Sequence, residues 1–121
     1  IVATKCGAKN VCAIDIDERA YNNAIDNAAL NQCTNMDIRL GGAEAIGNST
    51  FDIILANINK NILISDMNIY AKAINKEGIL FVSGFYSSDI EDITSEALKH
   101  NFKLIKQKEK DDWVSLKLQK Q

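Results

Sequence analysis

Three residue sets could do chemistry here, and each closes an apolar run. Asp15 follows Val11-Cys12-Ala13-Ile14. Asn57 follows Phe51-Asp52-Ile53-Ile54-Leu55-Ala56. Ser83-Gly84 follows Ile79-Leu80-Phe81-Val82. Short apolar runs of this kind read as strands buried on both faces, as in a parallel sheet. In such sheets ligands bind outside the carboxyl ends of the strands, so side chains at these ends can reach a ligand. An acid there, Asp15, can accept two hydrogen bonds from a ribose diol. It can also serve as a helix-entry residue, sharing that duty with Asp17. The Asn57 amide can accept from one substrate group and donate to another. It can also be a turn residue, in a chain rich in asparagine. Asn59 and Asn61 follow in the same loop. Gly41-Gly42 could let backbone approach a ligand or could simply end a strand. Trp113 reads as packing, and His100 as a helix-end residue suited to the dipole.

The elements that must position these residues follow from periodicity. Asp17 can cap a helix in which Ala20, Tyr21, Ala24, Ile25, Ala28 and Ala29 recur at helical spacing to about Asn31. A short strand is expected over 37–40, broken by Gly41-Gly42, with one helical turn over 43–46. The strand over 51–56 leads to a helix over about 61–75, with Ile62, Leu63, Met67, Tyr70 and Ile74 on one side. Glu77-Gly78 should turn the chain into a strand over 79–83. Ser88-Asp89-Ile90-Glu91 fits a capping box for a helix from about Asp89 to His100. Residues 102–108 and 113–119 alternate apolar and polar positions around Glu109-Lys110-Asp111-Asp112. They read as an antiparallel pair with Val114, Leu116 and Leu118 facing the core. The charges from Lys99 to Lys110 should face solvent. Residues 1–8 look like a helix tail stopped by Gly7. Alternating strand and helix imply a parallel sheet with helices on both faces, and a single α/β domain.

Composition narrows the function classes. The 121 residues are 46% hydrophobic and 25% charged, ordinary values for a globular domain. A net charge of -2, from 14 basic and 16 acidic residues, disfavours a nucleic-acid binder running on phosphate contacts. No run is long and apolar enough for a membrane span. Cys6, Cys12 and Cys33 form no C-x-x-C pair and read as reduced core thiols of a cytoplasmic protein. The one histidine excludes most histidine-built metal sites and Ser-His triads, and no metal set is expected.

Taken together, AIDID (13–17), FDIILANI (51–58), GILFVSGF (78–85) and DWVSL (112–116) resemble the class I S-adenosylmethionine-dependent methyltransferases. ANI in place of NPPY, SGF after the next strand and WVSLKL near the end are most similar to the ribosomal protein L-eleven (L11) methyltransferases, the PrmA family. The resemblance covers essentially the whole chain. It implies a Rossmann-like sheet of seven strands, mostly parallel, with an antiparallel carboxyl-terminal hairpin. It also implies methyl transfer from S-adenosylmethionine to amino groups of L11, at lysine side chains and the N-terminus. Carried over residue by residue, Asp15 would hold the cofactor's ribose hydroxyls and Ile16 would pack on its adenine. Asn57 would sit beside the methyl group and orient the amine. Ser83 and Gly84 would line the same mouth.

Two departures stand out. The family's glycine-rich loop after its first strand, of the type D-x-G-C-G-[TS]-G, has no counterpart here. Ile1-Val2-Ala3 would correspond to the helix that follows it. The first strand, which lies mid-sheet between the strands ending in Asp15 and Asn57, would be absent, as would the substrate-recognition domain. Residues 1–121 are thus expected to be the carboxyl-terminal part of a methyltransferase domain. Secondly, Gly41-Gly42 stands where the family often has an acid near the adenine amino group. The resemblance implies no direct nucleic-acid partner and no membrane. Rival readings are a class I methyltransferase acting on RNA or a small molecule, and a non-catalytic nucleotide-binding domain.

Overall fold

A computed structural model describes residues 6–121 and divides the chain into two compact units, Ile1–Gly47 and Asn48–Gln121. The helix tail expected over 1–8 lies outside the described residues except at its end, where Cys6 and Gly7 form a turn and Gly7 has a φ of 103°.

In the first unit, β1 (Val11–Asp15) pairs in parallel with β2 (Met36–Leu40), joined by α1 (Glu18–Leu30). Asp17 caps α1 as its spacing predicts, accepting from the backbone N–H groups of Arg19 at 2.8 Å and Ala20 at 3.4 Å. The helix stops without glycine. Gln32 takes a left-handed φ of 56°, while Gln32 N–H donates to Ala29 C=O and Cys33 N–H to Ala28 C=O, a closed carboxyl-terminal cap. A 3-10 turn, Ala43–Ile46, follows Gly41-Gly42. Among the described residues of this unit, the buried apolar ones are Ala28, Cys33 and Ile46. The core placement expected of the three thiols therefore holds for Cys33 alone. Cys12 is half-buried and Cys6 exposed.

The second unit carries a four-stranded sheet in the order β3 (Phe51–Asn57), β4 (Ile74–Tyr86), β6 (Trp113–Lys120), β5 (Phe102–Lys110). β3 and β4 are parallel, whereas β4–β6 and β6–β5 are antiparallel. The closing hairpin thus forms as its alternation predicts, with Val114, Leu116 and Leu118 at 3% exposure or less. Helix α2 (Lys60–Ala73) and helix α3 (Ile90–Lys99) bury Leu63, Met67, Ile93 and Ala97 against the face that also holds Leu80, Val82 and Phe85. Both helices of this unit lie on that one face. On the other, Ile53 is 58% and Leu55 69% exposed.

Two boundaries differ from expectation. Helix α2 ends at Ala73, not near residue 75, because buried Ile74 turns extended and pairs with Phe51. The backbone stays in strand from there to Tyr86, and the expected turn is reduced to an irregularity at Glu77, φ 68°. The box expected at Ser88 is replaced by a 3-10 turn, Ser87–Asp89, in which the Asp89 carboxylate accepts from Tyr86 N–H at 3.2 Å. Helix α3 therefore begins at Ile90 and ends at Lys99, with His100 as its cap. Among the described residues β1 pairs only with β2, and β3 only with β4.

Candidate functional site

Asn57 is the last residue of β3 and lies in register with Ser83 of β4. Just beyond, Ile58 N–H donates to Ser83 C=O at 3.1 Å. Gly84 is the extra residue where the β4–β6 ladder shifts between Ser83 and Phe85, a bulge with glycine in the left-handed region, φ 94°. A Cβ at residue 84 would stand 2.6 Å from the Asn57 side-chain oxygen and 2.9 Å from Ile58 O. Absence of a side chain at Gly84 is what lets the Asn57 amide rest there. Among the described residues no side chain or backbone group hydrogen-bonds that amide, so its donor and acceptor are free for a ligand.

A pocket of about 730 Å³ opens over this corner, lined by Asn57, Ser83, Gly84, Trp113, Ser115 and the end of β5 at Lys108–Lys110. Trp113, which the sequence assigns to packing, is 53% exposed. Its ring stacks on Tyr86 with centroids 4.9 Å apart. The signal for it lay in topology. An antiparallel last strand begins where its parallel neighbour ends, so Trp113 sits opposite Tyr86. Asn59 turns out to be a cap, its side chain accepting from Ile62 N–H at 3.0 Å. Asn61 is an exposed residue of the first turn of α2.

Asp15 and Ile16 belong to the first unit. Asp15 is the last residue of β1, and one carboxylate oxygen accepts from Asp17 N–H at 2.8 Å. It shares helix entry with Asp17 and keeps its second oxygen for another donor. Ile16 is 79% exposed, an apolar side chain set beside that carboxylate. Gly41 N–H donates to Asp15 C=O at 2.8 Å, which draws the loop after β2 against the end of β1. In that loop Glu44, which the sequence reading passed over, folds back to accept from Gly42 N–H at 2.9 Å. This bond holds its carboxyl below the usual carboxylate range. The G-G-x-E spacing was the available signal.

Several other titratable groups hold local structure. Arg39 is held by Asp37 at 2.8 Å and donates to the carbonyls of Ala45 and Ile46. Burial pushes the Cys12 thiol up, against the opposing charge of Arg39. Lys60 bridges to Asp92 at 2.6 Å, tying the start of α2 to α3. His100 lies 3.2 Å from Glu96 across one turn. Among the described residues no three His, Cys, Asp or Glu side chains cluster as metal ligands, and no helix is long and apolar enough to cross a membrane.

Comparison with known proteins gives a consistent outcome. The profile of the family described as "Ribosomal protein L11 methyltransferase (PrmA)" matches residues 1–121. The ribosomal protein L11 methyltransferase of Bacteroides fragilis is 42% identical over 118 residues, covering 97% of this chain and 42% of the relative. The crystal structure of ribosomal protein L11 methylase from Lactobacillus delbrueckii subsp. bulgaricus matches with a TM-score of 0.91 at 28% identity, covering 98% of this chain and 62% of that one. M. jannaschii TYW2 in complex with AdoMet shares the fold, with a TM-score of 0.71 at 18% identity over 99% of this chain and 62% of that one. The chain spans less than half the length of the curated relatives it matches. The elements are those of a Rossmann-like α/β methyltransferase sheet, closed by an antiparallel hairpin.

Proposed function

The chain belongs to the ribosomal protein L11 methyltransferase family, and from that premise we propose that it forms part of an S-adenosylmethionine-dependent enzyme that methylates amino groups of L11. The observation that carries this reading is the unpartnered Asn57 amide, seated on Gly84 and open to a pocket at the carboxyl edge of the sheet. When bound, S-adenosylmethionine supplies the methyl group as a reactive electrophile. The free oxygen of Asp15 suits a ribose hydroxyl, and exposed Ile16 suits the flat face of an adenine. Glu44 keeps an acid in the loop after β2, although Gly41-Gly42 carries no side chain.

The residues of the second unit act on the amine. A lysine ammonium has an ordinary pKa near 10.4 and must lose a proton before its nitrogen can attack. The Asn57 side-chain oxygen and the neighbouring Ile58 carbonyl accept N–H bonds from the neutral amine. These bonds fix the lone pair toward the methyl group, a proximity effect. The bound cofactor would supply the methyl carbon and keep the electron pair of the broken C–S bond on sulfur, while Asn57 and Ile58 hold the nitrogen in line with that carbon. The methylated nitrogen would then carry a positive charge and two protons, one of which would pass to water.

Residues 1–121 serve, in this reading, as the carboxyl-terminal part of the catalytic domain. The substrates are lysine side chains and the N-terminus of a cytoplasmic ribosomal protein. Asn57→Ala in the protein with its flanking sequence tests the assignment. Turnover should fall by about a hundredfold, the scale of a lost positioning contact. Titration of S-adenosylhomocysteine should show little change in affinity. Unchanged turnover would refute the role of Asn57.

A further inference from the structure

The face of the four-stranded sheet turned away from α2 and α3 carries a charge pattern that methyl transfer does not use. Directly opposite residues of an antiparallel pair share a face. Lys103, Lys106, Lys108 and Lys110 lie opposite Gln119, Lys117, Ser115 and Trp113. They therefore stand on the side away from buried Val114, Leu116 and Leu118. All four are exposed, and among the described residues none has an ion pair. The acid of the strand, Glu109, lies opposite Val114 and so belongs to the other face.

Three features set this row apart from ordinary solvated lysines. Lys106 is directly opposite Lys117, a like-charge pair that weakens a sheet. Lys117 finds the Phe81 ring at 5.9 Å, whereas Lys106 has no such partner. Among the described residues β5 is an edge strand, so its outer N–H and C=O groups pair with no other described strand. Finally, Lys108 and Lys110 line the pocket that holds Asn57, where they outnumber Glu109, the one acid of that lining. Lysines on an edge also discourage sheet-to-sheet aggregation. That purpose requires neither a like-charge pair nor a row that runs into a pocket.

We propose that β5 docks an extended, acidic segment of the protein substrate, added to the sheet as a further strand. Side chains at alternate positions of a strand recur every ~6.6 Å. Carboxylates at every second residue of an added strand would therefore meet Lys106, Lys108 and Lys110 in turn. Main-chain hydrogen bonds to the free edge supply affinity, and the charges set register and direction. A polypeptide suits this surface better than a nucleic acid, because only a strand satisfies the edge groups. The row then leads the segment toward the pocket, which rests on the reading of Asn57 as the place where the amine reacts.

The test measures docking without cofactor, so its failure is separate from failure of the methyl-transfer reading. The probe is a fluorescent peptide alternating glutamate and threonine, with a glutamine–threonine peptide and an oligouridylate as controls, on the protein with its flanking sequence. The acidic peptide should bind, more weakly as salt rises, and should slow amide exchange over residues 102–110. Lys106→Glu is the decisive variant. It would face Lys117 with an opposite charge, so thermal stability should hold or rise, while peptide affinity should fall about tenfold. With the protein substrate, KM should rise and kcat should persist. Absence of peptide binding, equal binding of the uncharged peptide, an unaffected Lys106→Glu variant, or oligouridylate binding with the same lysine dependence would each overturn the proposal.

Discussion

A methyl group added at residue 84 would strike the Asn57 side-chain oxygen at 2.6 Å and the Ile58 backbone at 2.9–3.0 Å. The first neighbour is the amide proposed to hold the amine, and the second is backbone that can yield only by moving the strand end. Gly84 therefore sets the position of Asn57 from beneath and need not touch a ligand itself. Gly84→Ala should cost about 1–2 kcal/mol of stability from the left-handed backbone alone. Turnover should fall more than stability alone explains, by about a hundredfold, the scale of a displacement of about 1 Å. Denaturant titration together with methyl-transfer kinetics checks both parts. A variant that loses stability but keeps its turnover would detach Gly84 from the chemistry. At Asp15 the division of labour is simpler. One oxygen holds the helix entry through Asp17 N–H, and the other is left for a ligand, so the two roles considered for this acid are compatible.

Helix α2 connects the site to the core. Asn59 caps it two residues after Asn57, and its buried side presents Leu63, Met67 and Tyr70. Tyr70 is 7% exposed. Burial, with the Asp66 charge adding, pushes its phenol up to about 12 from an ordinary 10.0. A folded-state pKa above the unfolded one means that the phenol's contribution to stability is complete below pH 10 and is lost as pH rises toward about 12. Tyr70→Phe should flatten the alkaline fall in stability across that window relative to the parent, as read by denaturant titration at stepped pH. Parallel curves for parent and variant would mean that other groups drive the fall.

The two units differ in how much they bury. In Asn48–Gln121, ten side chains from helices and strands are below 2% exposure. In Ile1–Gly47, Leu30 is 80% and Leu40 50% exposed. Among the described residues β1 pairs only with β2 and β3 only with β4, and each edge backbone group costs on the order of 1–3 kcal/mol if shielded from water without a partner. A domain's whole margin is about 5–15 kcal/mol. Residues 1–121 alone should therefore be less stable than the same residues within the protein with its flanking sequence. They should bind S-adenosylhomocysteine at least about a hundredfold more weakly, equivalent to roughly 2.7 kcal/mol. Calorimetry on the two chains decides this. Equal affinities would mean that the cofactor site is misplaced.

The sequence by itself determined what is local or periodic. The apolar runs ending in Asp15 and Asn57 located two strand ends, the Asp17 spacing located a cap, and the alternation of 113–119 located the buried face of the last strand; the run ending in Ser83 located a strand that continues three residues further, to Tyr86. Its combination of short strings also pointed to the family. Tertiary structure decided what depends on which strand lies opposite which. A period of two says that Lys106, Lys108 and Lys110 share a face, but only the register puts Lys106 opposite Lys117 and brings Trp113 beside Tyr86. Pairing with Phe51 likewise carried β4 back to Ile74, past a local turn signal. The seat of Asn57 on Gly84 joins residues 27 positions apart across two parallel strands. No local pattern encodes that contact, because it arises only when the two strand ends meet.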